Sequence, residues 1–253
     1  MQVSTNSLFT SYVYNQSGLT NTSQQVIGLS YGSTYYWRVS ATNTYGMSEW
    51  SSVWNFTTVA NICSTSTISY LGKTYNTVQI GSQCWLKENL DVGTMIFGNQ
   101  SALNNGSIEK YCYNDDSANC TTYGGLYQWN EAMQYVTTEK AKGICPSGWH
   151  IPTQAEFQTL ATAVSNDGNA LKGVGQGIGV GAGTNSSGFS ALLAGFRYDN
   201  GGFNYLGSDT FFWSSTEYGA ANAFSMILNA YNSSITFDYY YKDFGFSVRC
   251  IKN

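Results

Sequence analysis

Charge is what this chain has least of. Asp, Glu, Lys and Arg make up 10% of its 253 residues, against about 25% in an ordinary soluble domain. Ion-pair networks therefore cannot be the main source of stability. The surface is expected to be neutral and polar, built from Ser, Thr, Asn, Gly and Tyr. Lys and Arg nowhere cluster, and the net charge is −4 with a pI of about 4.9. A nucleic-acid groove needs a basic stripe to displace phosphate counterions, so nucleic acid is not an expected partner. No apolar run approaches the ~20 residues of a membrane-spanning helix, so no membrane span is expected. The start Met1-Gln-Val-Ser-Thr5 lacks the basic-then-apolar pattern of a secretory signal. The expectation is a mature or excised piece, or an export signal lying upstream. Histidine occurs once, as His150, and proline twice, as Pro146 and Pro152. One histidine cannot complete a zinc cluster, and no two cysteines have C-x-x-C spacing.

Six cysteines are present: Cys63, Cys84, Cys112, Cys120, Cys145 and Cys250. An even count on a neutral-polar surface predicts disulfides in an oxidising compartment. Spacing alone does not choose among the many pairings. Two segments stand out. Cys145-Pro-Ser-Gly-Trp-His-Ile-Pro-Thr153 leads into a helix start, and Gly245-Phe-Ser-Val-Arg-Cys250 ends the chain. Their cysteines suggest a bridge tying the end of a domain to its middle.

Residues 1–59 read as β-structure. Tyr35, Trp37, Val39 and Ala41 alternate onto one face, Asn43-Thr-Tyr-Gly46 is a turn, and Ser52 to Thr58 is a further strand. Leu29-Ser-Tyr-Gly-Ser-Thr-Tyr35, the following Tyr-Trp-Arg-Val and Ala-Thr-Asn-Thr-Tyr-Gly46 resemble the second half of a fibronectin type III domain. The resemblance makes Tyr35 the corner tyrosine, whose hydroxyl bonds back to nearby backbone. A full sandwich takes ~90–100 residues, and its first two strands have no counterpart here. Two readings stay open: the missing strands lie upstream in a longer chain, or a neighbouring subunit supplies a strand. A linker is expected at 60–62.

From Cys63 the pattern changes. Ser69 to Ile80 reads as a hairpin turning at Gly72. Tyr123 to Met133 reads as a helix entered through glycines, with Leu126, Trp129 and Met133 at helical spacing. The clearest helix runs from Gln154 to about Ser165. Thr153 is its N-cap and Glu156 completes a capping box; Phe157, Leu160, Ala161 and Val164 form the apolar stripe, and Asp167-Gly168 is the stop. The glycine-rich segment Gly173 to Gly183 holds no G-x-G-x-x-G window, so a flexible or close-packed loop is expected rather than a nucleotide site. Residues 189–250 are β-rich.

Several ordered motifs carry a second resemblance. They are Tyr75-Asn-Thr-Val-Gln-Ile-Gly-Ser-Gln-Cys-Trp85 with Glu88-Asn-Leu90, Tyr123-Gly-Gly-Leu-Tyr-Gln-Trp129, and the Cys145 segment with Glu156. Ser187-Gly-Phe-Ser-Ala-Leu192, Gly195-Phe-Arg-Tyr198, Phe212-Trp-Ser-Ser-Thr-Glu217 and the Cys250 segment follow. With these, residues 63–253 resemble the Fibrobacter succinogenes major paralogous domain, found on exported bacterial proteins. The resemblance implies a C-type-lectin-like fold: two helices on a twisted antiparallel sheet, with adjacent termini. The expected class is thus a β-rich α+β fold with an incomplete fibronectin type III sandwich before it. The disulfides that fit this fold are Cys145–Cys250, Cys112–Cys120 and Cys63–Cys84. Formylglycine-generating relatives of the fold use cysteine chemistry. With every cysteine bridged, the resemblance implies fold and not activity, and no enzyme is expected.

No cofactor is implied. The lectin calcium motifs are absent, and Asn114, Asp115, Asp116 and Asn119 form at most a weak calcium loop beside the plainer reading of a solvated turn. His150, between Trp149 and Pro152, is expected to pack. The stretch 198–244 is rich in Tyr and Asn among Ser, Gly and Asp, the palette of antibody paratopes, and one that also suits stacking on sugar rings. The expected ligand-binding set is Tyr198, Asn200, Asn204, Tyr205, Asn229, Tyr231, Asn232, Asp238, Tyr239, Tyr240 and Tyr241. In an alternating strand some of these rings face inward, and Tyr239-Tyr240-Tyr241 must place a ring on each face. The expected function is a surface or secreted bacterial module that binds an extracellular glycan or protein. The alternative is a structural subunit of a fibre or layer, self-associating through 1–59.

Overall fold

The computed structural model describes residues 1–30, 32–58, 63 and 66–253; the expected linker at 60–62 lies outside the described residues. The chain divides into two compact units, Met1–Ile62 and Cys63–Asn253.

In the first unit, strands β1 (Gln2–Ser4), β2 (Tyr14–Asn15), β3 (Thr34–Arg38) and β6 (Trp54–Thr57) form one sheet in the order β2-β1-β3-β6. Strands β4 (Thr42–Asn43) and β5 (Gly46–Met47) form a small hairpin around the Thr44-Tyr45 turn. The core is thin: among the described residues, Val3, Phe9 and Tyr35 are its buried apolar side chains. The Tyr35 hydroxyl accepts the Ser30 backbone N–H at 2.8 Å. The alternating run expected to reach Ala41 stops at Arg38. Beyond it, the N–H groups of Val39 and Ala41 donate to the Ser51 and Ser48 hydroxyls instead of to a neighbouring strand. Local serine acceptors end the ladder there.

The second unit begins with β7 (Thr67–Tyr70), β8 (Lys73–Ile80), β9 (Gln83–Leu86), β10 (Thr94–Met95) and β11 (Glu109–Lys110). Then come α1 (Ser117–Tyr123), β12 (Leu126–Tyr127), α2 (Trp129–Ala132), β13 (Trp149–His150), α3 (Gln154–Ala163) and α4 (Gly168–Leu171). The C-terminal part holds β14 (Ala194–Arg197), β15 (Phe203–Leu206), β16 (Asp209–Tyr218), β17 (Asn222–Asn229), β18 (Ile235–Tyr241), β19 (Phe246–Ser247) and β20 (Ile251–Lys252). The result is β-rich with few and short helices. The final strand β20 lies between β13 and β9 in a five-stranded sheet that continues to β8 and β7. A second sheet runs β12-β19-β16-β14-β15, and β17 and β18 extend from β16.

The long strand β16 separates two cores, as period-two alternation requires. Phe211 and Trp213 join Tyr127, Trp129, Phe196 and Phe246 on one side. Phe212, with Met226 and Leu228 of β17, meets Phe157 and Leu160 of α3 on the other. Three disulfides frame this unit: Cys63–Cys84, Cys112–Cys120 and Cys145–Cys250.

The β7–β8 hairpin turns at Leu71-Gly72, and α3 carries the expected capping box. Other expectations change. The helix expected over 123–133 is three pieces. Tyr123 ends α1, Leu126–Tyr127 is a strand paired with β19, and only Trp129–Ala132 is helical. The apolar spacing there reflects a strand and a helical turn that feed one core. The two helices implied by the lectin-like resemblance are four among the described residues. Asp167 is not a simple stop: Ser165 and Asn166 at φ 57° and 60° end α3, and Asp167 caps α4 through the Asn169 N–H.

The glycine-rich loop is close-packed against β17 and its turn. A Cβ on Gly181 would come within 2.2 Å of the Ala230 carbonyl. Lys172, fully buried, donates to the carbonyls of Gly181, Asn229 and Asn232 at 2.5, 2.6 and 2.8 Å. A lone ammonium thus satisfies carbonyls that loop backbone leaves unpaired.

Candidate functional site

The β14–β15 hairpin and β18 bring aromatic side chains together around Phe196. Phe196 is buried, and its ring contacts those of Tyr198, Tyr205, Phe211, Phe244 and Phe246 at centroid distances of 4.5–5.9 Å. Phe244 in turn touches Tyr198, Tyr240 and Tyr241. The outer rings are accessible: Tyr205 is 50% and Tyr241 56% exposed, whereas Tyr198, Tyr240 and Phe244 are half-buried beside them. The patch therefore has a packed base and an open rim. Burial pushes the Tyr240 hydroxyl pKa above its ordinary value.

A backbone irregularity shapes the rim. Gly195 and Tyr205 face each other in the hairpin and take φ values of 64° and 66°. Left-handed backbone is costly for a bulky residue such as tyrosine. At this position it lays the Tyr205 ring on Phe196, with an interplanar angle of 12°.

The expected ligand-binding residues divide into three groups. Tyr198, Tyr205, Tyr240 and Tyr241 meet in the patch. Asn200 and Asn204 lie on the same hairpin; Asn204 is exposed, and the Asn200 side chain accepts the Gly202 N–H to hold the turn. Tyr239 leaves β18 on the face opposite Tyr240 and stacks on Tyr218 at 3.8 Å, and Tyr241, at the end of the strand, reaches the patch through Phe244. Asp238 is exposed on β18, its carboxylate accepting the Tyr239 N–H. Asn229 ends β17 and Tyr231 and Asn232 follow in the β17–β18 turn, at the end of these strands remote from Tyr241. The Asn229 carboxamide is committed to Asp209 and the Tyr231 N–H. As expected for consecutive strand residues, Tyr239 and Tyr240 take opposite faces, and the strand register places the set in more than one region. Phe196, Phe211 and Phe244 were not anticipated as its base. The sequence signal that could have found them is the run of aromatics in β14, β16 and 244–246, which reads equally well as plain core.

The other candidates are engaged in hydrogen bonds within the fold. His150 is buried, with Nδ1 2.7 Å from Asn253 Oδ1 and Nε2 3.0 Å from Glu156 Oε2. Asp115 accepts the Gly98 N–H, Asp116 caps α1 through Ala118, and Asn119 donates to the Tyr113 carbonyl. Among the described residues no group of three or more His, Cys, Asp or Glu is placed to hold a metal ion. In the first unit a cavity of about 690 Å³ opens over the sheet, lined by Val3, Leu19, Val26, Trp37, Val39 and Phe56 among others.

The profile of the family described as Fibrobacter succinogenes major domain matches residues 78–252. Among curated proteins and among solved structures, none matches this chain.

Proposed function

Because the chain belongs to the Fibrobacter succinogenes major domain family, we propose that it is a bacterial cell-surface or secreted module that binds an extracellular glycan or protein through the Phe196-centred aromatic patch. The carrying observation is that half-exposed Tyr205 lies on buried Phe196 and half-exposed Tyr241 touches half-buried Phe244, which itself packs on Phe196. Tyrosines fixed in this way offer large contact area with little conformational entropy left to lose on binding. Three disulfides suit an oxidising compartment outside the cytoplasm. No helix among the described residues is long and apolar enough to cross a membrane. For residues 63–253 we favour the C-type-lectin-like fold, supported by the return of β20 beside β9 and by the Cys145–Cys250 bridge. For residues 1–59 we favour a partial fibronectin type III sandwich, supported by the Tyr35 hydroxyl on the Ser30 N–H. Catalysis is not part of the proposal, since His150 is enclosed by Asn253 and Glu156 and every cysteine is bridged.

The test is a glycan array and a screen of surface proteins with the whole chain, repeated with Tyr205→Ala and Tyr241→Ala. Each substitution should weaken a positive signal about tenfold or more, as for a central interface aromatic. Binding that survives both changes would refute the patch. A second reading, a fibre or layer subunit, draws on the first unit, where Trp54 and Phe56 of β6 are exposed beside the open cavity. Sedimentation of the chain at rising concentration separates the two: ordered self-association that shields the tyrosines favours the subunit, and a monomer with a binding partner favours the module.

A further inference from the structure

Five segments of the second unit converge on another pocket, of about 330 Å³. Lys73 comes from β8, Lys87 and Asn89 follow β9, Tyr123 ends α1, and Ser190 and Arg249 come from the loops before β14 and β20. The whole chain has 11 Lys and Arg and a net charge of −4. Three of those cations nevertheless line this one pocket, with Glu88 as its carboxylate. Glu88 is turned to Asn76, accepting its backbone N–H at 2.8 Å and its side-chain amide at 2.6 Å.

The cations are incompletely matched. Arg249 is buried, and among the described residues no carboxylate lies within ion-pair distance of it. Its Nε and Nη2 both donate to Asn89 Oδ1, at 3.1 and 2.6 Å, and Nη1 donates to the Phe189 carbonyl. Those bonds occupy three of the guanidinium's five N–H groups. Lys73 lies 3.5 Å from Asp91 Oδ2, while Lys110 holds the other oxygen at 2.5 Å. The half-buried Lys87 ammonium has no ion-pair partner among the described residues. Lys172 is different: each of its three ammonium donors ends on a carbonyl.

A buried cation without counter-charge is costly, and an anion in the pocket removes that cost. A carboxylate suits the donors, because its two oxygens can be shared between a guanidinium fork and ammonium groups. The volume lies at the lower end of small-molecule sites, the size of one sugar ring or one amino acid. We propose that this pocket binds the carboxylate of a small organic acid, of the size of a single uronic acid. The proposal stands independently of the aromatic patch.

The test is an amide-shift titration of the whole, disulfide-intact, isotope-labelled chain with sodium galacturonate, N-acetylalanine and glucose. Saturable shifts at Lys87, Thr122, Tyr123 and Ser190 are expected with a carboxylate and not with glucose. A response to galacturonate alone identifies an acidic sugar as the source, and a response to both acids identifies the carboxylate as the recognised group. The double variant Lys73→Gln/Lys87→Gln, with its melting temperature retained, should bind at least about tenfold more weakly, the factor for losing just one of its two charge-assisted hydrogen bonds. No shift with either acid at millimolar concentration, equal shifts with glucose, or unchanged affinity in the double variant would each overturn the proposal. Should that variant fold poorly, Lys87→Gln alone serves, since among the described residues its ammonium has no ion-pair partner.

Discussion

Glu156 joins three segments. Its Oε2 accepts the Thr153 N–H at 2.9 Å, closing the capping box, while His150 Nε2 and Lys140 Nζ approach the same carboxylate at 3.0 and 2.9 Å. Burial opposes its ionisation, but the hydrogen bonds from His150, Thr153 and Lys140 outweigh it and hold the pKa at about 2, against an ordinary value of 4.5. A depressed carboxyl pKa stabilises the fold above the unfolded value and loses that contribution as pH falls through the folded one. The melting temperature should therefore drop as pH goes from about 4.5 to about 2, and Glu156→Gln should flatten the drop. An equally steep profile in the variant would assign the acid sensitivity to other carboxylates. Lys172 makes a second test. Lys172→Met would leave three carbonyls unpaired, at a cost of about 3 kcal/mol read from the urea midpoint. Lys172→Arg should not restore it, because a planar fork cannot converge on three carbonyls as an ammonium does. The sequence marked Glu156 through its distance from Thr153; nothing in it marked Lys172, whose partners lie 9 to 60 residues away.

At the level of elements, period-two alternation decides which side of β18 each tyrosine faces. Along β18, Tyr240 turns to the Phe211 and Phe246 side, and Tyr239 to Tyr218 and Phe224. Tyr240→Ala should lower stability by about 2–3 kcal/mol as a partly buried core ring is lost. Tyr241→Ala, at an exposed position, should stay within about 0.5 kcal/mol. Chemical denaturation of both variants checks this, and equal losses would mean that Tyr241 belongs to the core. Thr153 with Glu156 located α3 from sequence because a cap is a local interaction. Leu126 and Tyr127 misled because their strand partner, Phe246–Ser247, lies some 120 residues on. Their apolar spacing fits either state, and only the partner selects the strand.

Across the whole molecule, the bridges differ in weight. Cys145–Cys250 spans 105 residues and Cys112–Cys120 spans 8. In the chain-entropy model the first is worth about 5 kcal/mol and the second about 2.5 kcal/mol. The Cys145→Ala/Cys250→Ala pair should therefore lower the melting temperature more than the Cys112→Ala/Cys120→Ala pair, and the reverse order would show that local geometry outweighs loop entropy. Residues 63–253 contain both hydrophobic cores and all three bridges, so they should fold when produced alone. The described residues of 1–62 bury few apolar side chains beyond Val3, Phe9 and Tyr35, so this segment should not give a cooperative transition by calorimetry.

The sequence by itself determined what local chemistry and ordered motifs carry. It set the family, the β-rich character, the α3 cap, the Leu71-Gly72 turn and the low charge of the surface. A cap, a turn or a motif is read over a few neighbouring residues, so no distant partner can alter it. Only the tertiary structure decided which tyrosines share a face, that Phe196 and Phe244 lie beneath them, and that Lys73, Lys87 and Arg249 line one pocket. Those relations depend on strand register and chain return across many tens of residues. A shift of one residue in that register would send each ring to the other side of the sheet.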